Sequence, residues 1–249
     1  MIGRLTRVVR RLSESRDRWD LIDHHLTYRL YGWRMRRQAR LNDEFDRRHG
    51  TDTASEIHLV DAGLSADSAR RGNGVYRPFW ASSFAAALKA LRIDYARFTF
   101  FDIGSGKGKL LLLASDYPFR RIAGIEIAPL LHEIARNNIA IYRGEAQQCH
   151  DIVAELGDAT TCVLPAGPLV CMVFNAFEAD TMRIVLRNIE RQVGDDAREF
   201  YLIYGNVRRV KEMERAFDDL SGLTIIRRTR HEIVLANDFA MRKASQRPA

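Results

Sequence analysis

Asp102, Gly104, Gly106 and Gly108 stand at alternate positions at the end of the run Arg97 to Asp102, and Leu110 to Ala114 follows them as a second, wholly apolar run. A strand that empties into a glycine-studded turn and then into a buried helix brings bare backbone N–H groups against a nucleotide-like ligand. Three further groups follow at strand-end positions: Glu126, eighteen residues beyond Gly108; Asp158, in Leu156-Gly157-Asp158-Ala159; and Asn175, in Asn175-Ala176-Phe177-Glu178. A carboxylate such as Glu126 can accept hydrogen bonds from both hydroxyls of a ribose. In a doubly wound sheet, an acid at the carboxyl end of the second strand reaches over the crevice where a nucleotide lies. Each feature also has a plainer reading: the glycines as a tight turn, Glu126 as a solvated strand end, Asp158 as half of a Gly-Asp turn.

Two familiar phosphate-binding patterns fail on spacing. The dinucleotide fingerprint places a third glycine three residues after the second, and that place here is Lys109. The P-loop requires a hydroxyl after Gly-Lys, whereas Gly108-Lys109 is followed by Leu110. What remains, acid-x-Gly-x-Gly-x-Gly, resembles motif I of the class I S-adenosylmethionine-dependent methyltransferases, and the four pieces together carry the resemblance over residues 76–237.

The resemblance implies an α/β fold with a seven-stranded, mostly parallel sheet of order 3-2-1-4-5-7-6, strand 7 antiparallel and helices on both faces. It implies S-adenosylmethionine as cofactor, held by Asp102, Gly104, Ser105, Gly106, Gly108, Glu126, Ile127, Asp158, Ala159 and Asn175. Within that set Asp102 faces the ammonium, Glu126 the ribose and Asp158 the adenine amino group. Tyr76, in Tyr76-Arg77-Pro78, matches a Tyr-x-Pro segment that closes over the cofactor in bacterial proteins of this type; its plain reading is a core tyrosine with a satisfied hydroxyl. Asn175 and Phe177 occupy the place of an Asn-Pro-Phe or Asn/Asp-Pro-Pro-Tyr/Phe segment that holds an amino acceptor, with Ala176 standing where proline is usual. The implied reaction is methyl transfer to an amine of a protein lysine, a base or a small molecule. The alternatives are a nicotinamide-dependent oxidoreductase of Rossmann type and a non-catalytic nucleotide- or nucleic-acid-binding protein.

The elements that must position these residues follow from periodicity. Arg121 to Ile127 is a strand leading into Pro129 at a helix start. The helix Pro129 to Arg143 keeps Leu130, Leu131, Ile134, Ala135 and Ile139 on one face, and the helix Ala179 to Val193 does the same with Met182, Val185, Leu186 and Ile189. Val170 to Phe177 and Glu199 to Tyr204 are further strands, the latter followed by a helix through Val210, Met213, Phe217 and Leu220. Leu223 to Thr229 and Glu232 to Asn237, separated by Arg230 and His231, are expected to pair antiparallel at the sheet edge. Phe79 to Leu91 supplies a helix ahead of the first strand. Residues 51–75 read as a connector and residues 238–249 as a polar, frayed tail.

Of 249 residues, the first 50 differ in character: thirteen arginines, no lysine and seven acids give them +6 of the chain's net +7. Apolar residues recur there at helical spacing, through Leu5, Val8, Val9 and Leu12 and again through Trp19, Ile22, Leu26, Leu30 and Trp33, so residues 1–50 form a helical arm. Its apolar stripe is expected to pack on the catalytic domain with the arginines as the wet face; a nucleic-acid backbone and an anionic membrane are the other partners such an arm suits. The oligomeric state is not written in the sequence. Cys149, Cys162 and Cys171 lack Cys-x-x-Cys spacing and the seven histidines form no ligand set, so no metal is implied. No apolar run approaches a membrane span or a secretory signal, which makes a cytoplasmic location the expectation.

Overall fold

The computed structural model describes residues 33, 36–72, 74–78, 81–193, 198–205, 216–217, 220–229 and 232–246. The chain divides into two units, Met1–Glu44 and Phe45–Ala249. In the first, residues 36–44 are helical and Gln38 Nε2 donates to Asn42 Oδ1 at 2.9 Å. Trp33 is 55% exposed, with the Arg37 guanidinium 5.8 Å from its ring centre. The rest of the arm's expected apolar stripe lies outside the described residues.

The described residues of the second unit form nine strands: β1 (Ile57–His58), β2 (Val75–Tyr76), β3 (Thr99–Ile103), β4 (Arg121–Glu126), β5 (Ile152–Leu156), β6 (Leu169–Phe174), β7 (Phe200–Gly205), β8 (Thr224–Arg228) and β9 (Glu232–Ala236). Seven form one sheet in the order β5-β4-β3-β6-β7-β9-β8. β3 through β7 pair in parallel, and β9 runs antiparallel to both β7 and β8. This is the order 3-2-1-4-5-7-6 with its one reversed strand.

Burial explains the strand sequences. The central strands β3, β6 and β7 are buried and mainly apolar, as parallel strands covered on both faces are, with Asp102 the charged exception in β3, while the edge strands β5 and β8 are partly exposed. Successive residues of β3 point to opposite faces. Phe101 and Ile103 join Met182, Val185 and Leu186 of one helix, Ala179–Val193. Phe100 joins Phe84 and Leu88 of Ala81–Leu91, Leu110 and Leu111 of Lys109–Ala114, and Ala240 of Asp238–Ser245 on the other face. Register then sets the site: Asp102 lies opposite Gly124 on one side and Met172 on the other, so β3 ends level with its neighbours.

Two segments differ from their sequence reading. The tail is not frayed over Asp238–Ser245, which form a helix capped by Asn237 and anchored by the fully buried Ala240. One small residue gives too little periodicity to announce a helix. Residues 51–75, read as a connector, hold the two-stranded antiparallel sheet that β1 forms with β2 and a helix, Ala66–Arg71, capped by Ser65. Their order comes from side chains: the Asp46 carboxylate accepts from Thr51 Oγ1, Thr53 N, Thr53 Oγ1 and Ala54 N at 2.6–2.7 Å. No helix among the described residues is long and apolar enough to cross a membrane.

Candidate active site

The turn after β3 is shaped by its own hydrogen bonds. Gly104 N and Ser105 N both donate to Ile125 O, at 2.9 and 3.0 Å, which pins the turn to the end of β4. Gly104, Gly106 and Gly108 adopt φ of +82°, +54° and +81°, a region that L side chains rarely enter. The first two glycines also need to be bare for contact reasons. A Cβ on Gly104 would stand 2.6 Å from Ala176 Cβ, and one on Gly106 would stand 2.6 Å from Tyr76 Cδ2. Gly108 does another job: a Cβ there would meet Ala135 Cβ at 3.2 Å, so this glycine lets the helix Lys109–Ala114 pack against Pro129–Ile141. It is not part of the pocket wall, unlike the role expected for it.

The pocket lies beyond the carboxyl ends of β3, β4, β5 and β6, where a parallel sheet places its ligands. Tyr76, Asp102, Gly104, Ser105, Gly106, Glu126, Ile127, Asp158, Ala159, Asn175 and Phe177 all line it. Glu126 is no solvated strand end, being 6% exposed. Its Oε2 accepts from Gly106 N at 2.8 Å and its Oε1 from Ala128 N at 2.9 Å, so the carboxylate braces the glycine turn and the start of the next helix at once. Burial raises its carboxyl above the usual range, and the N–H groups of Ala128, Gly106 and Ile127 pull it back. Asp158 is a turn former as well as a pocket residue, since its Oδ1 accepts from Thr160 N and Oγ1.

Asp102 differs from both. It is 2% exposed, and its Oδ1 is buried without a hydrogen-bond partner, as is the Ser105 hydroxyl beside it. Burial, and after it the charge of Glu126, push the Asp102 carboxyl well above the ordinary carboxylate range. A buried acceptor left unpaired beside a second acid costs stability unless a cation or a donor arrives to meet it. The arrangement therefore suits a ligand that brings positive charge to the mouth of β3 and hydroxyls to Glu126.

Opposite these acids stands a wall that sequence reasoning missed. Leu59, Leu64, Ser68 and Arg71 come from the segment between β1 and the end of the short helix, and Thr181 and Ile184 come from Ala179–Val193. The Asn175-Ala176-Phe177 loop is clamped to that segment: Phe177 bridges Gly72, and Glu178 N donates to Arg71 O at 3.1 Å. Asn175 takes φ +47°, a strained value for a residue with a side chain, of the kind found where a loop aims a functional group. The Tyr76 hydroxyl donates to Thr53 O at 2.9 Å. Burial, with the charges of Asp46, Asp52, Asp102 and Glu126, raises its pKa well above the usual value, so it stays a protonated donor. The thiols offer no nucleophile: burial pushes Cys162 up to about 11 and raises Cys149 and Cys171 as well.

The sheet order with its single reversed strand, and a glycine turn at the switch point, decide the architecture. The chain has the class I methyltransferase fold. No protein-family model matches the sequence, and no curated protein does either. Among solved structures, an RNA methyltransferase from Salinibacter ruber in complex with S-adenosyl-L-homocysteine aligns at 17% identity over 64% of this chain and 91% of its own, with a TM-score of 0.44. A ribosomal protein L11 methylase from Lactobacillus delbrueckii subsp. bulgaricus aligns at 16% identity over 61% of this chain and 74% of its own, with a TM-score of 0.42. The glycopeptide N-methyltransferase MtfA, also complexed with S-adenosylhomocysteine, aligns at 10% identity over 63% and 86%, with a TM-score of 0.46. Similarity at this level assigns no acceptor.

Proposed function

We propose that this chain is an S-adenosylmethionine-dependent methyltransferase acting on an amine, in a protein lysine, a base or a small molecule. The observation that carries the reading is the pair of buried acids at adjacent strand ends, Asp102 with an unpartnered oxygen and Glu126 against the glycine turn. Those residues fit the cofactor group by group. Asp102 would meet the ammonium, Glu126 the ribose hydroxyls through lone pairs its backbone bonds leave over, and Asp158 the adenine amino group, with Ile127 and Ala159 as the flanking wall. Gly104, Ser105 and Gly106 present backbone to the methionine portion, and Tyr76 covers the turn. Three free cysteines support a reducing compartment, the cytoplasm.

The cofactor supplies a methyl group on a sulfonium that leaves as a neutral thioether, so little acid catalysis is needed. The protein's contribution is placement. Holding an acceptor in line with the methyl supplies most of the acceleration such a reaction requires. Asn175 accepts a hydrogen bond from the acceptor amine and so aims its lone pair, while Phe177 offers a ring face to the charge that develops on nitrogen. A base is required only when the acceptor arrives protonated.

Calorimetric titration with S-adenosylhomocysteine, set against NADH, tests the reading; selective binding of NADH would overturn it. The sharper test is Glu126→Ala. Loss of two charge-assisted hydrogen bonds to the ribose is expected to weaken S-adenosylhomocysteine by roughly 2–4 kcal/mol. The same change strands the N–H groups of Gly106 and Ala128, so the melting temperature falls as well. Glu126→Gln, which keeps an acceptor for one of them, is expected to recover part of the stability and little of the affinity. A folded Glu126→Ala protein with wild-type affinity removes Glu126 from the ribose.

A further inference from the structure

The glycine turn carries one side chain that the chemistry above does not use. Lys107 lies between Gly106 and Gly108 and is fully buried. A lysine withdrawn from water requires an acid partner, and Lys107 Nζ reaches Asp52 Oδ1 at 2.7 Å and the Ser55 hydroxyl beside it. The Tyr76 ring lies under the same ammonium, its centre 5.5 Å away. Asn138 closes the circuit. Its amide donates at 2.9 Å to both Asp52 O and Lys107 O, and its carbonyl accepts from Asp52 N at 2.8 Å.

We propose that Lys107 is a positioning residue, which fastens the strap of residues 51–77 to the turn that presents the cofactor. Asp52 and Ser55 take the ammonium, and Thr53 between them takes the Tyr76 hydroxyl. Tyr76 sits in β2, and β2 pairs with β1. The wall carried by that unit, Leu59, Leu64 and Arg71, thus keeps a set distance from Gly106. Lys107 ties the turn whose Gly106 lines the pocket to the strap that carries part of the pocket wall. In-line transfer is sensitive to displacements of about 1 Å, so the latch sets the geometry in which acceptor and methyl meet.

The test separates positioning from plain structure. Lys107→Met removes one partner of the pair, but the Asp52 side chain is half in solvent and can hydrate, so the variant is expected to fold with at most a modest fall in melting temperature. In the free protein, deuterium exchange over residues 51–59 and 75–77 should rise. Affinity for S-adenosylhomocysteine should fall about tenfold, because Tyr76 no longer rests on Gly106. Lys107→Arg should restore both, and the double variant Lys107→Met with Asp52→Asn should lose no more than Lys107→Met alone, as expected for residues acting as one unit. Unchanged exchange over the strap, wild-type affinity despite faster exchange, or additive losses in the double variant would each overturn the proposal. The inference rests on the methyltransferase reading only for its ligand. A wild-type protein without affinity for S-adenosylhomocysteine sinks that reading, whereas the exchange of the strap still decides the latch.

Discussion

Gly106→Val is expected to abolish S-adenosylhomocysteine binding while leaving the sheet intact. Two separate penalties fall on this residue. Gly106 holds φ at +54°, where a side chain costs roughly 1–2 kcal/mol and a β-branched one more. A Cβ would also stand 2.6 Å from Tyr76 Cδ2, closer than real atoms approach, so the ring must leave its place over the turn. Gly50→Ala separates the two, because Gly50 has φ +70° and nothing within 4 Å of its added Cβ. That control pays backbone strain alone and is expected to melt a few degrees lower with unchanged affinity. Calorimetry and thermal melting on both variants decide the point; retained binding in Gly106→Val would show that the turn does not approach the cofactor.

The contrast between Gly106 and Gly108 shows what the sequence disclosed and what it withheld. All three glycines share one spacing and one sign of φ, and the pattern signals a tight turn ahead of a buried helix. It does not say which glycine faces the ligand and which faces a neighbouring helix, because that depends on Ala135, twenty-seven residues on. The core of the sheet was legible for a related reason. Thr99–Ile103, Leu169–Phe174 and Phe200–Gly205 are buried on both faces, so burial is written in consecutive residues. Glu126 was legible because a strand, a turn and a helix of ordinary length separate it from the glycines.

The strap could not be read in that way. Its polar, glycine-rich composition suits a loop, and its order comes from contacts that no local pattern encodes. Asp46 gathers Thr51, Thr53 and Ala54, and Lys107 meets Asp52 across fifty-five residues. Periodicity reports burial of apolar surface; an ion pair and a carboxylate cap stabilise a segment without leaving a period. A local signal was Lys107 itself, a long charged side chain between two glycines in a turn that joins an apolar strand to an apolar helix. Its side chain leaves the turn and ends on Asp52 and Ser55 of the strap.

Asp102→Asn carries the other large effect, and its two consequences have opposite signs. Burial and the nearby Glu126 hold the folded Asp102 carboxyl well above its ordinary value of 3.8, so it ionises at higher pH in the folded protein than in the unfolded chain. An acid raised in this way contributes full stability below its unfolded pKa and loses it as pH rises through the folded pKa. Above that window the free protein holds a desolvated, ionised carboxylate, at a cost of several kcal/mol, against about 1–3 kcal/mol for an unpaired neutral amide at the same place. Without ligand, the melting temperature of Asp102→Asn should therefore rise relative to wild type as pH increases, with the two curves converging toward about pH 4. Binding should move the other way. The ligand's ammonium draws the Asp102 proton off, so wild-type affinity for S-adenosylhomocysteine rises with pH across the same window, and titrations in buffers of different ionisation enthalpy should show proton release. Without the carboxylate the ammonium loses its partner, a loss of about 2–3 kcal/mol, and the pH dependence flattens. A variant that gains nothing on wild type as pH rises and binds as tightly would show that Asp102 serves the sheet and not the ligand. A site that trades stability of the empty protein for affinity should behave in the opposite sense on both measurements.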